Sequence, residues 1–330
     1  MFFLVNLVSG TYFSKHPAQR ARTIPVRDAT TTKAPPTTAP APPQPLGAGL
    51  RVMTFVDTTR LIYPPHTANG QPSPRVLQTY IWYPATGIPL AGNTVNAAPA
   101  VSRGPFPLVI FCPGYDLYPT SYASLLRTWV RAGYVVASPV FPLTNPGTPG
   151  GPDEEDIVNQ PEDVEFIINQ LLAQNASASS PIHALINPSS IAVTGHSDGG
   201  DTALVVAYDT CCRDPQVKAA VIMAGQELNM PAGGSYYPAG SPPLLAIQGT
   251  ADTVNVPADT YQLFDQAPQP KYLLTLPGAD HLIPFTQPGP YESAVEKVSI
   301  DFLNTYLKGT NQLTKMATDG NVAGIATLTG

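Results

Sequence analysis

The chain has 330 residues, and its 17 Lys and Arg stand against 23 Asp and Glu, which gives a formal net charge of −6. This acidic balance excludes a nucleic-acid partner that is bound through phosphate neutralisation. Because 43% of the residues are hydrophobic, the chain can bury a sizeable core, and its length allows one large α/β domain or two small ones. No apolar run reaches the roughly 18 residues that a membrane-spanning helix needs, so we expect no integral membrane segment.

The N-terminal region resembles the remnant of an export signal, but it does not complete the pattern of one. Residues 1–8 are almost wholly apolar, as in a shortened export signal, although no basic residue precedes them. Residues 29–45 consist mostly of Pro, Thr and Ala, a composition that cannot offset its ordering entropy and is typical of a semi-rigid linker. A disordered tail of a cytosolic protein is the alternative. We expect a signal remnant, a linker, one folded domain and a C-terminal tail in a protein that is secreted or attached to the cell envelope; the expected bounds are 1–28, 29–46, 47–310 and 311–330.

After residue 50, short apolar runs alternate with helical patterns. Several runs are continuous, which is typical of strands buried on both faces of a parallel sheet. The sequence therefore predicts an α/β fold with a mostly parallel eight-stranded sheet and helices on both faces. No helix separates the first two strands, so we expect them to pair antiparallel. The predicted strands are 51–56, 78–83, 108–112, 134–137, 191–194, 217–223, 244–248 and 272–276; the predicted helices are 121–131, 161–173, 199–208, 258–264 and 291–307.

The strand over residues 191–194 leads into Gly195-His196-Ser197-Asp198-Gly199-Gly200 and then an apolar helix. This is a G-x-S-x-G motif at a strand-to-helix turn, the context in which Ser197 becomes an exposed nucleophile. The helix N-terminus favours the negative charge that develops in acyl transfer. A structural glycine turn and a phosphate-binding loop are the alternatives, but no Lys follows and no G-x-G-x-x-G register fits.

A serine nucleophile needs a base, and His281 is the only one of the five histidines that lies C-terminal to Ser197. It follows the strand over residues 272–276, which places it at the same sheet edge as Ser197. The acid should follow the preceding strand, where Asp252 lies. Asp280, which adjoins the histidine, and Glu227 are competing carboxylates.

The backbone N–H of Asp198 and that of Tyr115 are the predicted oxyanion donors. Tyr115 lies in the Pro113-Gly114-Tyr115 loop after the strand over residues 108–112. The Tyr115 ring could also floor an acyl pocket, and Leu282, next to the predicted base, is the second expected substrate-binding residue.

The segment from about residue 51 to residue 307 resembles an α/β-hydrolase. Within that superfamily it is similar to the branch that holds dienelactone-hydrolase-like, platelet-activating-factor-acetylhydrolase-like and bacterial cutinase-like polyester hydrolases. The resemblance implies a Ser–His–Asp triad that hydrolyses carboxylic esters without a cofactor, and the matching positions are Ser197, His281 and Asp252. The motifs that carry it are Trp82-Tyr83-Pro84-Ala85, Pro113-Gly114-Tyr115, Gln160-Pro161-Glu162-Asp163-Val164, Gly195 to Gly200, Gly249 to Pro257 and Gly278 to Leu282.

The chain departs from the polyester hydrolases at three points. Asp198 stands where they usually carry Met, Gln226-Glu227-Leu228 stand where a Trp would fall, and no Cys follows Cys212. An ionised Asp198 side chain near the oxyanion would oppose its formation, so we expect that side chain to turn away from the acyl pocket. Dienelactone hydrolases proper use a Cys nucleophile, and Ser197 argues against that activity.

Three further features concern the surroundings of the site. The insert at residues 225–242 is too short for a large helical cap, so we expect an open cleft that suits bulky or extended esters. Asp153-Glu154-Glu155-Asp156 could bind a cation or be a solvated acidic run before a helix. We expect Cys112 to be a buried small hydrophobe, while Cys211 and Cys212 could form a vicinal disulfide or both stay reduced.

The sequence thus predicts a monomeric, secreted serine esterase that takes an ester substrate and needs neither cofactor nor metal. Polyester hydrolysis is a possible specificity. An acyltransferase with the same triad and a non-catalytic binding protein on the same fold are the alternatives.

Overall fold

The continuous apolar runs form the centre of one mixed β-sheet. The structure is a computed structural model that describes residues 45–87 and 91–330. The expected signal remnant and nearly all of the expected linker lie outside the described residues. The strands are β1 (Gly47–Ile62), β2 (Ser73–Ala85), β3 (Thr94–Val95), β4 (Phe106–Cys112), β5 (Val135–Pro139), β6 (Ile186–His196), β7 (Val217–Met223), β8 (Leu244–Gly249), β9 (Lys271–Leu276) and β10 (Thr327–Thr329).

The strand order is β10-β9-β8-β7-β6-β4-β5-β2-β1-β3. Strands β5, β4, β6, β7, β8 and β9 run parallel. Strands β1 and β2 pair antiparallel, as the missing crossover helix predicted. Because all parallel strands end at one edge, the loops after β4, β6, β8 and β9 meet there.

The helices pack on both faces of this sheet. Along β4 and β6, alternate side chains enter opposite layers: Ile110 and Val193 lie in one core cluster, and Val109 and Ala192 lie in the other. All four are fully buried, and full burial of a Val or Ile side chain contributes about 1.5–3 kcal/mol. The helices are α1 (Ala123–Arg131), α2 (Gln160–Ala176), α3 (Asp198–Tyr208), α4 (Pro257–Gln266), α5 (Ile283–Thr286), α6 (Pro290–Leu307) and α7 (Leu313–Asp319).

In the described ranges, the sheet has ten strands rather than the eight predicted. The additional strands, β3 and β10, contain two and three residues, too few for a hydrophobic pattern to reveal them. Residues 311–330, expected as a tail, contain α7 and β10, and β10 pairs antiparallel with β9. In the described part of the chain, no helix is both long enough and apolar enough to cross a bilayer.

A buried ion-pair cluster fixes the acidic segment near residues 153–156. Arg75 on β2 is 3% exposed, and its guanidinium donates to Asp156 at 2.8 Å and to Asp163 of α2 at 2.6 Å. Arg60 on β1 donates to Asp163 and to Asp57, each at 2.7 Å. The Asp156 carboxylate is therefore paired with the Arg75 guanidinium. Among the described residues, no group of three His, Cys, Asp or Glu side chains could hold a metal ion.

Candidate active site

Ser197 lies at the turn between β6 and α3, as the motif predicted. Its φ of 56° is in the left-handed region, which costs free energy for a residue with a Cβ. The flanking glycines permit the turn, because a Cβ on Gly195 would collide with the Gly199 carbonyl and a Cβ on Gly199 would collide with the Cys112 carbonyl. Because neither glycine has a Cβ, the backbone can approach closely on both sides of Ser197. This close approach holds Ser197 in its strained conformation at the N-terminus of α3.

Three of the predicted site residues come together at the sheet edge. The Nε2 atom of His281 lies 2.9 Å from Ser197 Oγ, and its Nδ1 atom lies 2.7 Å from Asp252 Oδ2. A carboxylate only accepts hydrogen bonds, so Nδ1 carries the proton and Nε2 is free to accept from the serine hydroxyl. This is the tautomer in which an imidazole can remove a proton from Ser197.

The Asp252 carboxylate is oriented by several donors. Its Oδ1 accepts from the backbone N–H of Val254 at 2.9 Å and of Asn255 at 3.1 Å. Its Oδ2 accepts from Gln248 Nε2 at 3.3 Å in addition to His281. With both oxygens satisfied inside the protein, the carboxylate is fixed towards the imidazole.

The two competing carboxylates are used elsewhere. Asp280 Oδ1 accepts from the backbone N–H of Leu282 at 3.0 Å and of Ile283 at 2.8 Å, so it caps the start of α5. Glu227 contacts Gln266 on α4 at 3.3 Å. Of the three candidate acids, the structure pairs Asp252 with His281.

The loop after β4 passes directly beside the nucleophile. A Cβ on Gly114 would lie 3.2 Å from the Ser197 Cβ, so the residue directly before Tyr115 adjoins the nucleophile. The Tyr115 hydroxyl donates to the Pro152 carbonyl at 3.0 Å, which ties this loop to the acidic segment. The backbone N–H groups expected to bind an oxyanion therefore belong to two segments that adjoin Ser197.

Asp198 is the first residue of α3, and it is 8% exposed. Its Oδ2 has no hydrogen-bond partner. Burial, and to a lesser extent the Glu154 carboxylate, raises the pKa of Asp198 to about 6, while a contact with its own backbone N–H acts in the opposite direction. The expectation that this side chain turns away from the acyl pocket stays a prediction.

Sequence reasoning missed two buried polar residues, His196 and Tyr122, that adjoin the site. His196 is fully buried, and its ring centroid lies 4.6 Å from that of His281. Burial, followed by the charge of His281, lowers the pKa of His196 to about 3. Its Nδ1 atom lies 2.9 Å from the Tyr122 hydroxyl. His196 occupies a variable position of the motif and Tyr122 is 74 residues away, so no local pattern linked them.

Exposed aliphatic side chains flank the triad residues. Val254 and Val256 follow Asp252 and are 65% and 44% exposed, while Leu282 and Ile283 follow His281 and are 43% and 41% exposed. The two loops adjoin, since the N–H of residue 251 donates to the carbonyl of residue 279 at 2.9 Å. We call these four side chains the aliphatic rim. Between β7 and β8, residues 224–243 contain no helix, so no cap forms over this edge from that insert.

The cysteines take no part in the hydrogen bonds of the triad. Cys112 is buried, as expected, and burial raises the pKa of its thiol. Cys211 and Cys212, which follow the C-terminal end of α3, form a disulfide between adjacent residues.

Comparisons with known proteins agree with this architecture. Residues 88–258 match the sequence model of the chlorophyllase family. Chlorophyllase-1 of Arabidopsis thaliana is 27% identical over 184 residues, which cover 53% of this chain and 53% of the relative. The chain thus matches about half the length of this curated relative. A ferulic acid esterase from Streptomyces cinnamoneus has a similar fold, with a TM-score of 0.61 and 20% identity over 82% of this chain and 93% of the other.

Proposed function

Because the chain belongs to the chlorophyllase family, we propose that it is a serine carboxylic-ester hydrolase with Ser197, His281 and Asp252 as its catalytic triad. The single observation that carries the proposal is the hydrogen-bonded chain from Ser197 through His281 to Asp252, with distances of 2.9 and 2.7 Å. The family match covers the segments with Ser197 and Asp252, and His281 lies beyond it. The role of His281 therefore depends on geometry.

In the proposed reaction, His281 Nε2 takes the proton of Ser197 as Oγ attacks the ester carbonyl. The tetrahedral intermediate collapses when its bond to the alcohol oxygen breaks, and the imidazolium gives its proton to the leaving alkoxide. Water then attacks the acyl-enzyme, again losing its proton to His281. The acid is released when the bond to Oγ breaks and Ser197 recovers the proton. Asp252 stabilises the imidazolium in both halves.

The negative oxygen of each tetrahedral intermediate needs donors that are already in place. The backbone N–H groups of Tyr115 and Asp198 are the proposed pair, because both adjoin Ser197 and the second opens α3. The dipole of this 11-residue helix adds to the effect. Loss of one such donor lowers kcat by roughly 10²–10³ in serine hydrolases.

The aliphatic rim supports a substrate class. Val254, Val256, Leu282 and Ile283 expose apolar surface beside the triad, where it would cover an alkyl or aryl part of an ester. The substrate we propose is a carboxylic ester with an extended or bulky apolar group, polyesters included. We also propose that the protein is exported, a proposal that depends on the composition of residues 1–46.

The test uses Ser197→Ala and a panel of esters. We expect a fluorophosphonate probe to label the wild-type protein and not the variant, and hydrolysis to fall at least about 10³-fold in the variant. The panel contains p-nitrophenyl esters of increasing chain length, a ferulate ester, chlorophyll and a polyester film. Transfer of the acyl group to an added alcohol in preference to water would instead indicate an acyltransferase. A wild-type protein that resists the probe and every ester would contradict the proposal.

A further inference from the structure

A second hydrogen-bonded chain adjoins the proposed triad and reaches it at the backbone of His281. The backbone N–H of Gly114 donates to the Tyr122 hydroxyl oxygen at 3.1 Å. The Tyr122 hydroxyl lies 2.9 Å from His196 Nδ1. His196 Nε2 lies 2.8 Å from the backbone carbonyl oxygen of His281. Three bonds therefore join the loop after β4 to the loop after β9.

The donor and the acceptor of each hydrogen bond follow from the backbone groups at the two ends of the series. A carbonyl oxygen only accepts, so His196 Nε2 must carry the proton and donate it to His281. The other ring nitrogen, Nδ1, is then an acceptor and takes the Tyr122 O–H. The Tyr122 oxygen is left with lone pairs for the Gly114 N–H. One neutral tautomer of His196 satisfies all three bonds, and no alternative tautomer does.

Burial makes this series of hydrogen bonds rigid and keeps His196 uncharged. Tyr122 and His196 are fully buried, so a missing partner would leave a polar group without compensation from water. The His196 ring also packs between His281 and Phe285, with centroid distances of 4.6 and 4.7 Å. The low pKa of His196 means that it adds no positive charge when His281 becomes an imidazolium.

The two ends of this hydrogen-bonded series lie in different parts of the proposed active site. Gly114 directly precedes Tyr115, whose N–H is a proposed oxyanion donor. His281 is the proposed base. A hydrogen bond to the backbone at each end fixes the position of a loop relative to the nucleophile that directly follows His196. Misplacement of catalytic groups by as little as about 1 Å can lower rates 10²-fold.

We propose that Tyr122 and His196 are positioning residues. Through the Gly114–Tyr122–His196–His281 hydrogen bonds, they fix the oxyanion-binding loop and the catalytic base relative to each other. This inference depends on the proposed hydrolase activity. It goes beyond the triad because it assigns a role in catalysis to two side chains that act through the backbone of Gly114 and His281.

The test separates the two ends of the chain with substitutions at His196. In His196→Asn, the side-chain oxygen can replace Nδ1 as the acceptor for Tyr122, and the donor to His281 is lost. In His196→Gln, the amide nitrogen can replace Nε2 as the donor to His281, and the acceptor for Tyr122 is lost. His196→Phe loses both ends. Tyr122→Phe removes only the hydroxyl and keeps the ring that packs on Phe111 at 4.6 Å.

For Tyr122→Phe we expect kcat to fall about 10- to 100-fold with KM changed less than about threefold, because the oxyanion is formed only after binding. His196→Gln should share this kcat loss. His196→Asn should instead move the midpoint of the acid limb of the kcat/KM profile, which reports the base in the free enzyme. Both single variants break the same series of hydrogen bonds. In the double variant Tyr122→Phe/His196→Phe, the loss in kcat should therefore not exceed that of the more damaged single variant.

Tyr134→Phe is the matched control. The Tyr134 ring is fully buried and its hydroxyl donates to Asn304 at 2.7 Å, away from the triad. It should lower Tm as Tyr122→Phe does and leave kcat within about twofold of wild type. Tyr122→Phe that keeps wild-type kcat, or losses in the double variant that simply add, would overturn the inference. The wild-type protein is assayed first: its failure to react with fluorophosphonate or esters would defeat the hydrolase proposal instead. If His196→Phe does not fold, Tyr122→Phe still decides the question.

Discussion

His281 Nδ1 and Asp252 Oδ2 lie 2.7 Å apart, and the Asp252 side chain has no exposed area while that of His281 is 12% exposed. The charged end of the triad is therefore the most buried, and the imidazole extends from it towards the surface. In such a low-dielectric position, the attraction between carboxylate and imidazolium is stronger than in water. The exposed edge of the imidazole is left available to Ser197 and to incoming water.

Replacement of Asp252 tests this relationship. In Asp252→Asn, the side chain can no longer accept at both oxygens, so it cannot hold His281 in the required tautomer and satisfy the N–H groups of Val254 and Asn255 together. We expect kcat to fall about 10³- to 10⁴-fold. The measurement is steady-state hydrolysis of a soluble p-nitrophenyl ester. Asp280→Asn is the control, since an amide oxygen can still cap α5, and it should stay within about threefold of wild type. Equal losses in both variants would refute the assignment of Asp252.

Asp198 should make stability depend on pH. Its pKa is about 6 in the folded protein and about 3.9 in an unfolded chain. Between these values the native state binds more protons, so the free energy of unfolding falls as pH rises from 4 to 6. Asp198→Asn removes the penalty of burying the charged form, and should stabilise the protein at pH 8 by on the order of 2 kcal/mol.

Urea unfolding at pH 4 and at pH 8 measures this effect. The gain from Asp198→Asn should be present at pH 8 and largely absent at pH 4. Asp116→Asn, at an exposed position in the neighbouring loop, should change stability by less than about 0.5 kcal/mol at either pH. A gain of the same size at both pH values would show that the ionisation of Asp198 is not its source.

The buried cluster around Arg75 makes a different prediction. Arg75→Met leaves Asp156 buried without a guanidinium partner and leaves Asp163 with Arg60 alone, and we expect a loss of about 3–5 kcal/mol in the free energy of unfolding. Glu162→Gln is the control, because the Glu162 side chain is 67% exposed where it pairs with Arg60 at 3.5 Å, and this pair should contribute less than about 1 kcal/mol. Denaturant titration of both variants compares the two pairs. A loss below 1 kcal/mol at Arg75 would show that water reaches its carboxylates.

The sequence could predict those strands and site residues whose pattern lies within a short stretch of the chain. The central strands were predicted correctly because burial on both faces produces continuous apolar runs, as in β4 and β7. The proximity of Asp252 and His281 was predicted correctly because each follows a parallel strand, and such strands end at a common edge. Their catalytic roles stay predictions. Short β3 and β10 carried no pattern, since strand pairing with β1 and β9 rather than local composition creates them.

The polar contacts under the site could not be derived in this way. Tyr122 meets His196 across 74 positions, and Arg75 meets Asp163 across 88. Each pair forms because the fold removes both partners from water, so that their polar groups must be satisfied inside the protein. From the sequence alone, Tyr122 was one of 15 tyrosines, and Asp156 belonged to an acidic run with no evident partner. Burial, which selects these pairings, is a property of the whole sheet and its helices.

The aliphatic rim should control chain-length preference. Leu282→Asp and Val254→Asp each place a charge beside the triad, where an alkyl group of the ester would lose its apolar contact. We expect kcat/KM for a long-chain p-nitrophenyl ester to fall about tenfold, equal to roughly 1.4 kcal/mol, and that for the acetate ester to change less than twofold. Val52→Asp is the control, because Val52 on β1 is 47% exposed and far along the sheet order from β8 and β9. Equal losses on both esters in the rim variants would indicate damage to the triad. No loss on the long-chain ester would mean that the alkyl group binds elsewhere.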